Sequence, residues 1–310
     1  MTSLPSATEV VVVGAGAIGA SAAYALARNG HEVVVLERGA IGMGASAGTA
    51  CMVTASHAER MATRAMLLEG IRFLPDPAGP FSLRPRPRLL PWLARFTAAS
   101  LTGDAKAGTA LLRRLAVESV DLHRVWSGEL ETGLVAAGTL NVYLTEAGLA
   151  GRAETVAEHR AAGLEVELLD AAALHERQPA ILGAQGAAFY PNDAHVDSLE
   201  FTRRVVEGAR RAGARVLEGI EVLGVTRGAA DLRIETTSGT IDAQRIVLAA
   251  GVWSERLAHD LGVTLPLEGA KGYHVEFEGL EHTVRQPVYL SETRVVATPL
   301  AGRLRLAGTL

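Results

Sequence analysis

The sequence predicts an α/β protein of two domains, one of which is built on a parallel sheet covered by helices. A β-branched run at residues 9–13 leads into a glycine-rich turn, a helical stretch and a second apolar strand at residues 33–36. Much later, residues 245–250 form another apolar strand that closes on small residues. Because the chain has 310 residues, it is long enough for two ordinary domains or for one large domain with an insertion.

The composition limits the classes of partner and of site. Apolar residues make up 48% of the chain and the formal net charge is −4, so nothing indicates the basic stripe of a nucleic-acid-binding protein. Cys51 is the single cysteine, which excludes an internal disulfide and a thiolate zinc site. The nine histidines are scattered, and we predict no metal site. Residues 1–9 lack the basic stretch of a secretory signal, and we expect a cytoplasmic protein.

The amino-terminal segment has two competing interpretations. Residues 10–27 carry no charge and are long enough for a membrane span. However, three glycines interrupt this run, and its four consecutive valines are typical of a buried parallel strand. We therefore predict a strand, a turn and a helix that continues to about Asn29, with Gly30 as its stop.

The glycine spacing gives the turn a chemical interpretation. Gly14 permits the tight turn, Gly16 lets a pyrophosphate approach the backbone, and Gly19 lets the helix lie close to the strand. The phosphates then sit at the positive end of the helix. Glu37 ends the second strand, where its carboxylate can accept hydrogen bonds from ribose hydroxyls and would repel a phosphorylated ribose. The complete βαβ unit predicts a Rossmann-like dinucleotide-binding domain, whereas the glycine motif alone would also fit an ordinary turn.

The segment after Glu37 favours FAD over NAD. Residues 38–54 are small, glycine-rich and polar, unlike a regular third strand. Such a segment suits close approach to a large cofactor. A flexible surface loop is the alternative that composition alone leaves open.

Helical stretches alternate with loops over residues 58–190. Apolar residues recur at helical spacing over 102–130, and residues 137–144 are typical of a strand. Asp170 is placed to cap a short helix that ends before Pro179.

A proline-rich stretch interrupts this region. Residues 75–91 hold six prolines, which predicts an irregular connector. The apolar side chains at residues 89–96 could make a weak peripheral contact with the inner face of a membrane, and packing against the domain is the preferred alternative.

The chain then returns to the nucleotide fold. Residues 197–200 have capping-box spacing and open a helix that runs to about Ala212 and stops at Gly213. Four strands are predicted after it, at residues 216–225, 232–236, 240–242 and 245–250. The last strand closes on Ala249, Ala250 and Gly251, where small residues again allow close approach to a cofactor. A tight strand-to-helix turn would explain these residues as well.

Seven motifs carry a resemblance that covers the chain nearly end to end. In order they are GAGAIGASAAYALARNGHEVVVLE, ASAGTACMVTASHAE, PFSLRPR, DAHVDSLEFTRRVVEGARRAG, IVLAAGVWS, KGYHV and GRLRLAGTL. In this combination the chain resembles D-amino-acid dehydrogenases, which are FAD enzymes related to glycine and sarcosine oxidases. The resemblance implies an FAD-binding domain at residues 1–57 and 196–265. An α+β substrate domain with a large antiparallel sheet interrupts it, at residues 58–195 and 266–310.

The resemblance also assigns residues to the cofactor by motif position. Those implied to contact FAD are Gly14, Gly16, Gly19, Glu37, Arg38, Ser46, Thr49, Ala50, Cys51, Val222, Ala249, Ala250 and Gly251. The segment from Ser46 to Cys51 matches the part that reaches the flavin, and Val222 matches a residue whose backbone meets the adenine. The family's Asn-Ala-Gly beside the flavin is Thr-Ala-Cys here, so a side chain replaces a hydrogen atom at Cys51. This makes Cys51 a candidate reactive thiol, with a buried apolar cysteine as the more common outcome.

Three residues are candidates for the substrate pocket, again by motif position: Met52, His57 and Tyr273. His57 fits a simple loop histidine equally well, and Tyr273 fits a sheet residue that packs against its neighbours. No residue is assigned as a catalytic acid or base, because none is required when the substrate binds as the free amine.

The implied activity is oxidation of the Cα–N bond of small D-amino acids, with hydride passing from Cα to the flavin and the imino acid hydrolysing in water. The implied partners are a small amino acid and an electron acceptor, which is a quinone, an electron carrier or oxygen. An oxidase of glycine, sarcosine or a cyclic imino acid on the same fold is one alternative.

A second alternative is an inactive fragment. Family members continue beyond the position of Leu310, with a Gly-Xaa-Arg-Pro motif whose arginine holds the substrate carboxylate and a closing strand and helix. We therefore expect that the carboxyl-terminal part of the FAD domain is missing from these 310 residues. On this view the chain alone holds FAD weakly and is inactive.

Overall fold

The computed structural model describes residues 3–73, 83, 86–228 and 231–308. Part of the predicted connector at residues 75–91 and most of the motif at 80–86 lie outside these described residues. The chain divides into two compact units. Unit 1 consists of Met1–Gly48, Glu129–Gly133 and Ser198–Gly269, and unit 2 of Thr49–Gly128, Leu134–Asp197 and Ala270–Leu310. The assignment of an FAD-binding domain to residues 1–57 and 196–265, and of a substrate domain to the remainder, stays a prediction.

The described residues contain fifteen strands in three sheets. In chain order they are β1 (Ala7–Val13), β2 (Val33–Glu37), β3 (Met52–Val53), β4 (Thr139–Tyr143), β5 (Glu167–Asp170), β6 (Gly186–Tyr190), β7 (Ala194–His195), β8 (Arg215–Glu218), β9 (Val222–Arg227), β10 (Leu232–Thr236), β11 (Gly239–Leu248), β12 (Tyr273–Glu278), β13 (Val288–Leu290), β14 (Val295–Leu300) and β15 (Arg303–Gly308).

Eight α-helices accompany these strands within the same described ranges. They are α1 (Ala17–Arg28), α2 (Arg64–Phe73), α3 (Leu90–Thr102), α4 (Ala105–Leu130), α5 (Glu146–Ala161), α6 (Ala171–Arg177), α7 (Ser198–Arg211) and α8 (Ser254–Asp260).

Unit 1 is built on a six-stranded sheet in the order β8-β2-β1-β11-β10-β9. β8, β2, β1 and β11 run parallel, while β10 is antiparallel to both of its neighbours. β1 is apolar from Val10 to Val13 and β2 from Val33 to Leu36, as expected when both faces of a parallel sheet are covered. Val11, Val34 and Ile241 are fully buried in one core cluster. The predicted strand, turn and helix at the amino terminus are confirmed, as is the α/β fold class.

Helix α1 lies very close to β1. Apart from Tyr24, the residues that it buries are small, Gly19, Ala20 and Ala23 among them. A methyl carbon built on Gly19 would lie 1.9 Å from the Gly14 carbonyl oxygen, far inside van der Waals contact. The helix also packs against α7. Position 19 therefore has no room for a side chain.

Two predicted strand boundaries in unit 1 are wrong. The strand predicted at residues 216–225 is two strands, β8 and β9, because Gly219 takes φ +76° between them. The strands predicted at 240–242 and 245–250 are one, β11. Pairing continues through Ala243, which lies beside Thr8 of β1 and Leu232 of β10, so the polar residues at this point do not interrupt the strand.

The predicted helix ends are confirmed. α1 ends at Arg28 and Gly30 follows with φ +86°. A side-chain oxygen of Asp170 accepts a hydrogen bond from the Ala173 amide at 2.8 Å and caps α6. α7 ends just before Gly213, which has φ +102°. Glycine in the left-handed region is the usual way to end a helix.

Unit 2 contains a seven-stranded sheet in the order β12-β15-β14-β13-β4-β6-β5. All its pairs are antiparallel except β13 with β4, which confirms the predicted antiparallel sheet. Side chains alternate between its faces. The residues buried on one face form an apolar cluster that includes Leu140, Val288 and Leu304. The other face, called the polar face below, carries Thr139, Asn141, Tyr289, Thr298 and Arg305 together with a few apolar side chains such as Val296.

The helical part of unit 2 differs from prediction at two points. The connector predicted to reach residue 91 ends earlier, because α3 starts at Leu90 and holds Pro91 in its first turn, where a missing amide breaks no helical bond. The stretch predicted at 102–130 is helical as α4, yet Leu115 and Leu122 are about half-exposed. Among the described helices, none has both the length and the apolar character needed to cross a bilayer.

A two-stranded sheet of β3 and β7 places Met52 opposite His195. The His195 side chain is buried and donates to the Pro299 carbonyl oxygen, while its Nδ1 has no partner among the described residues. Burial lowers the pKa of His195 to about 4, so the ring is neutral at pH 7.

We expect Gly19→Ala to destabilise unit 1, because a Cβ would overlap the Gly14 carbonyl oxygen. Overpacking of this kind costs about 1–3 kcal/mol in the free energy of unfolding. Gly151→Ala is the matched control, since a Cβ at Gly151 in α5 meets no atom within 4 Å and should stabilise slightly. Urea unfolding of both variants measures the difference. Equal stability of the two would contradict the close helix–strand contact.

We expect His195 to make stability fall on acidification. A histidine with a folded pKa near 4 and an ordinary unfolded pKa near 6.5 binds a proton more readily when unfolded, so stability is lost as pH falls from about 6.5 to about 4. Between pH 7 and pH 5 the parent should lose about 2 kcal/mol more unfolding free energy than His195→Asn. Urea titrations at both pH values test this, and identical losses in the two proteins would refute it.

Candidate functional site

The carboxyl ends of three parallel strands meet at one edge of the unit 1 sheet. Val13 pairs with Leu36 on one side and with Leu248 on the other. The glycine-rich turn, the segment after Glu37 and the loop at residues 249–251 follow these strand ends directly. In open α/β sheets, ligands bind in the crevice outside the carboxyl ends of the strands.

Gly14 joins the three strand ends. It has φ +98°, its amide donates to the Leu36 carbonyl oxygen at 2.8 Å, and a Cβ built on it would lie 2.7 Å from the Ala249 carbonyl oxygen. Both the backbone angle and the contact require glycine. The turn predicted from the glycine spacing is therefore held against the small-residue loop at 249–251.

The amino terminus of α1 forms a hydrogen bond with the Ser46 hydroxyl. Ser46 Oγ accepts a hydrogen bond from the Ala17 amide at 2.9 Å, and its carbonyl oxygen accepts one from the Ser198 hydroxyl at 2.6 Å. A Cβ on Gly16 would approach Ser46 Oγ to 3.1 Å. Ser46 Oγ keeps its own proton for donation, so the helix end, the bare Gly16 backbone and this hydroxyl suit an anion.

The Glu37 carboxylate is fixed by two backbone amides. Its Oε2 accepts from Ala15 and its Oε1 from Gly39, each at 2.8 Å. Each carboxylate oxygen can accept a further bond, which suits the hydroxyls of a ribose. The bond to Ala15 also ties the acid to the glycine-rich turn.

Arg38 follows Glu37 and stacks on an aromatic ring. Its guanidinium carbon lies 3.9 Å from the centre of the Trp253 ring, within cation–π range. Trp253 is 55% exposed. A Cβ built on Gly251 would meet no atom within 4 Å, so one side of the 249–251 loop is open. Together with the bare glycines, this open cradle fits an adenine dinucleotide such as FAD.

Val222 has a different setting from the other predicted cofactor residues. Its side chain is buried in the core cluster of unit 1. Its carbonyl oxygen accepts a hydrogen bond from Arg256 Nη2 at 3.0 Å. A carbonyl has a second lone pair, and the contact of the Val222 backbone with adenine stays a prediction.

The loop at residues 49–51 lies in unit 2, where other segments bind all three of its carbonyl oxygens. The pairs are Thr49 with the Arg305 guanidinium at 2.8 Å, Ala50 with the Thr298 hydroxyl at 2.7 Å, and Cys51 with the Val196 amide at 2.9 Å. Loop and polar sheet face are thus bonded together.

Cys51 takes φ +61° and is 2% exposed. Its Sγ accepts a hydrogen bond from Arg305 Nη1 at 3.0 Å. Of the two interpretations of this cysteine, the structure has the buried one, although the sulfur contacts a guanidinium and is not in an apolar environment. Cys51 carries the left-handed conformation at the position where the resemblance implies glycine.

The three pocket candidates do not share one surface. Met52 is half-buried in β3, and the His57 ring stands edge-on to Tyr289 on the polar sheet face, with centroids 4.9 Å apart. Tyr273 is exposed on β12, and strand alternation places it on the face opposite to Glu276, which bonds to Arg305. Their roles as substrate contacts stay predictions.

Sequence reasoning missed the buried carboxylate that holds the His57 segment. Asp193 is 3% exposed and accepts hydrogen bonds from the Ala55 amide, the Ser56 hydroxyl and the Thr139 hydroxyl. The Ser56 hydroxyl also lies 3.0 Å from His57 Nδ1. These partners are far apart in the chain, so no local pattern signals them.

Comparison with known proteins assigns the chain. The DAO family, described as FAD dependent oxidoreductase, matches residues 9–310. Similar curated proteins include the D-amino acid dehydrogenases of Granulibacter bethesdensis (30% identical, covering 97% of this chain and 75% of that protein) and Paramagnetospirillum magneticum (32% identical, 97% and 74%).

The fold also occurs in solved structures of other proteins. Glycine oxidase from Geobacillus kaustophilus has a TM-score of 0.73 at 23% identity and covers 99% of this chain and 72% of its own. L-proline dehydrogenase from P. horikoshii has a TM-score of 0.71 at 19% identity, and the match covers 99% of this chain and 70% of that one. The chain therefore belongs to the DAO family of FAD-dependent oxidoreductases, and FAD is its cofactor.

Proposed function

We propose that this protein oxidises the Cα–N bond of small D-amino acids to the imino acid. The observation that carries the proposal is the alignment of relatives named D-amino acid dehydrogenase along 97% of the chain, at 30% and 32% identity. The resemblance of seven ordered motifs supports the same activity.

The residues of unit 1 would bind the cofactor. When bound, FAD supplies the acceptor for the hydride that leaves Cα. The α1 amino terminus, with Gly16 beside it, would hold the pyrophosphate, and the Ser46 hydroxyl would donate its proton to a phosphate oxygen. Glu37 would accept the ribose hydroxyls with the lone pairs that Ala15 and Gly39 leave unused.

The polar face of the unit 2 sheet would form the substrate side. Asn141 is 8% exposed, and its Oδ1 has no partner among the described residues. Tyr289 lies beside it on the next strand and His57 stands against Tyr289. A buried acceptor without a donor is unfavourable, and an amine or an ordered water would supply the donor. His57 then shapes this side and needs no role as a base.

The substrate is an amino acid, and the reduced flavin requires an electron acceptor. We propose a quinone or an electron carrier, in keeping with the relatives named dehydrogenase; oxygen is the other outcome.

A weak peripheral contact with the inner face of a membrane also stays a prediction. Leu90 at the start of α3 is 65% exposed, which supports it.

We expect Gly16→Val to abolish FAD binding, because a branched side chain would fill the bare backbone beside Ser46 where the pyrophosphate must lie. Gly128→Val is the control, since a Cβ at Gly128 in α4 meets no atom within 4 Å. Flavin absorbance after reconstitution with FAD measures the effect. Flavin retained by Gly16→Val at the parent level would contradict the assigned pyrophosphate position.

The activity is tested by a substrate screen with an artificial electron acceptor. We expect reduction with small D-amino acids and little with their L-enantiomers, glycine or sarcosine. Comparing dye reduction with oxygen consumption separates a dehydrogenase from an oxidase. Turnover of glycine and sarcosine alone would favour the oxidase alternative, and turnover confined to 2-hydroxy acids would overturn the proposal.

A further inference from the structure

Arg305 is a buried cation that the proposed reaction does not use. It lies in β15, its side chain is 5% exposed, and it belongs to the polar face of the unit 2 sheet. Burying a guanidinium is unfavourable unless its charge and its donors are matched. A residue kept under that condition is expected to have a specific task.

A chain of alternating charges matches the Arg305 cation. The Glu276 carboxylate accepts from Arg305 at 2.7 Å and from Arg303 at 3.0 Å, and Arg303 also pairs with Asp197. Two cations and two anions therefore alternate along this line. The two arginines differ in their remaining contacts. Arg305 also donates hydrogen bonds to the loop at residues 49–51.

Arg305 contacts the loop next to Cys51, the residue with an unfavourable left-handed backbone conformation. Arg305 Nη1 donates to the Thr49 carbonyl oxygen at 2.8 Å and contacts Cys51 Sγ at 3.0 Å, so it spans the loop from its first residue to its last. Cys51 has φ +61° without being glycine, a conformation that persists only when its surroundings enforce it. The single guanidinium nitrogen bonds the chain on both sides of Ala50, in addition to the Cys51 amide bond to the Thr49 hydroxyl and the Val196 amide bond to the Cys51 carbonyl oxygen.

The clamp also decides which polar atoms of the loop remain for a ligand. All three carbonyl oxygens are bonded to other segments of unit 2. The Ala50 amide has no hydrogen-bond partner among the described residues. The loop thus turns its acceptors to the protein and keeps a donor, which suits the electron-rich nitrogen and carbonyl atoms of a flavin ring.

We propose that Arg305 is a positioning residue for the flavin-facing loop, which it holds in the left-handed conformation by bonding Thr49 and the Cys51 sulfur together. The proposal rests on the proposed function and on the motif resemblance, which implies that the segment from Ser46 to Cys51 reaches the flavin. Arg305 acts through the loop and touches neither flavin nor substrate.

The test compares Arg305→Met and Arg305→Lys with the matched control Arg303→Met. The control also removes an ion pair with Glu276, but within the described residues Arg303 makes no contact with the loop at residues 49–51. The first readout needs no cofactor. Cys51 is the only cysteine, so the rate of its reaction with an aromatic disulfide reports the loop alone. Arg305→Met removes the cation beside the sulfur, which by itself slows thiol attack, but it also opens a thiol that is 2% exposed in the parent. We expect the gain in access to dominate and to raise the rate about tenfold or more, and we expect Arg303→Met to leave the rate within about twofold.

The second readout is the dissociation constant for FAD and the absorbance maximum of the bound flavin. Loss of the charge-assisted loop contacts should weaken FAD binding about tenfold in Arg305→Met, with a shifted maximum. Arg305→Lys, which keeps a cation able to reach Thr49, should recover part of both effects. Thermal unfolding identifies a variant that fails to fold. If Arg305→Met does not fold, the thiol rate and FAD affinity of Arg305→Lys decide whether Arg305 positions the loop.

An unchanged thiol rate in both Arg305 variants would overturn the clamp. A faster thiol reaction with parent-like FAD affinity and flavin spectrum would overturn the positioning role. If the parent protein itself binds no FAD, the proposed function fails, whereas the thiol comparison still decides whether Arg305 holds the loop.

Discussion

The approach of α1 to β1 sets the distances on which the rest of unit 1 depends. Gly19 admits the Gly14 carbonyl oxygen where any other residue would place a Cβ. That contact fixes the helix axis relative to the strand and so fixes where the helix amino terminus points. Ala249 stands within the same close packing, which makes β11 part of it as well. Ser46 and Glu37 then attach to amides whose positions are already determined.

Unit 2 reaches order by a different physical route. Its loop at residues 49–51 is held by hydrogen bonds from side chains on the polar face of a sheet, and no close helix–strand contact is involved. The Asp193 carboxylate does the same for the segment at 55–57, with three donors around one buried charge. In both cases a buried polar side chain forms hydrogen bonds with the backbone or side chains of a neighbouring segment. Steric exclusion shapes one unit, and hydrogen-bond satisfaction shapes the loops of the other.

This difference explains how far sequence alone could reach. Steric requirements leave local signals, and the glycine spacing with Glu37 predicts β1, α1, β2 and the position of the turn that joins them. Helix caps such as Asp170 are equally local. By contrast, the partners of Cys51 and Asp193 lie far away in the chain, and nothing near Arg305 distinguishes it from the exposed arginines. The placement of Tyr273 depends on strand register, which alternation alone leaves undetermined. Motif resemblance supplied the family, but not which face each residue occupies.

The position of β11 in the unit 1 sheet also governs the order of events during synthesis. β1 and β2 leave the ribosome early, but Val13 must wait for Leu248 before its second neighbour exists. Until then the nascent β1 exposes an apolar edge, open to pairing with other chains. Contacts of such long sequence separation also slow folding. The edge of the sheet at Val13 can therefore be completed only after residue 248 has been synthesised.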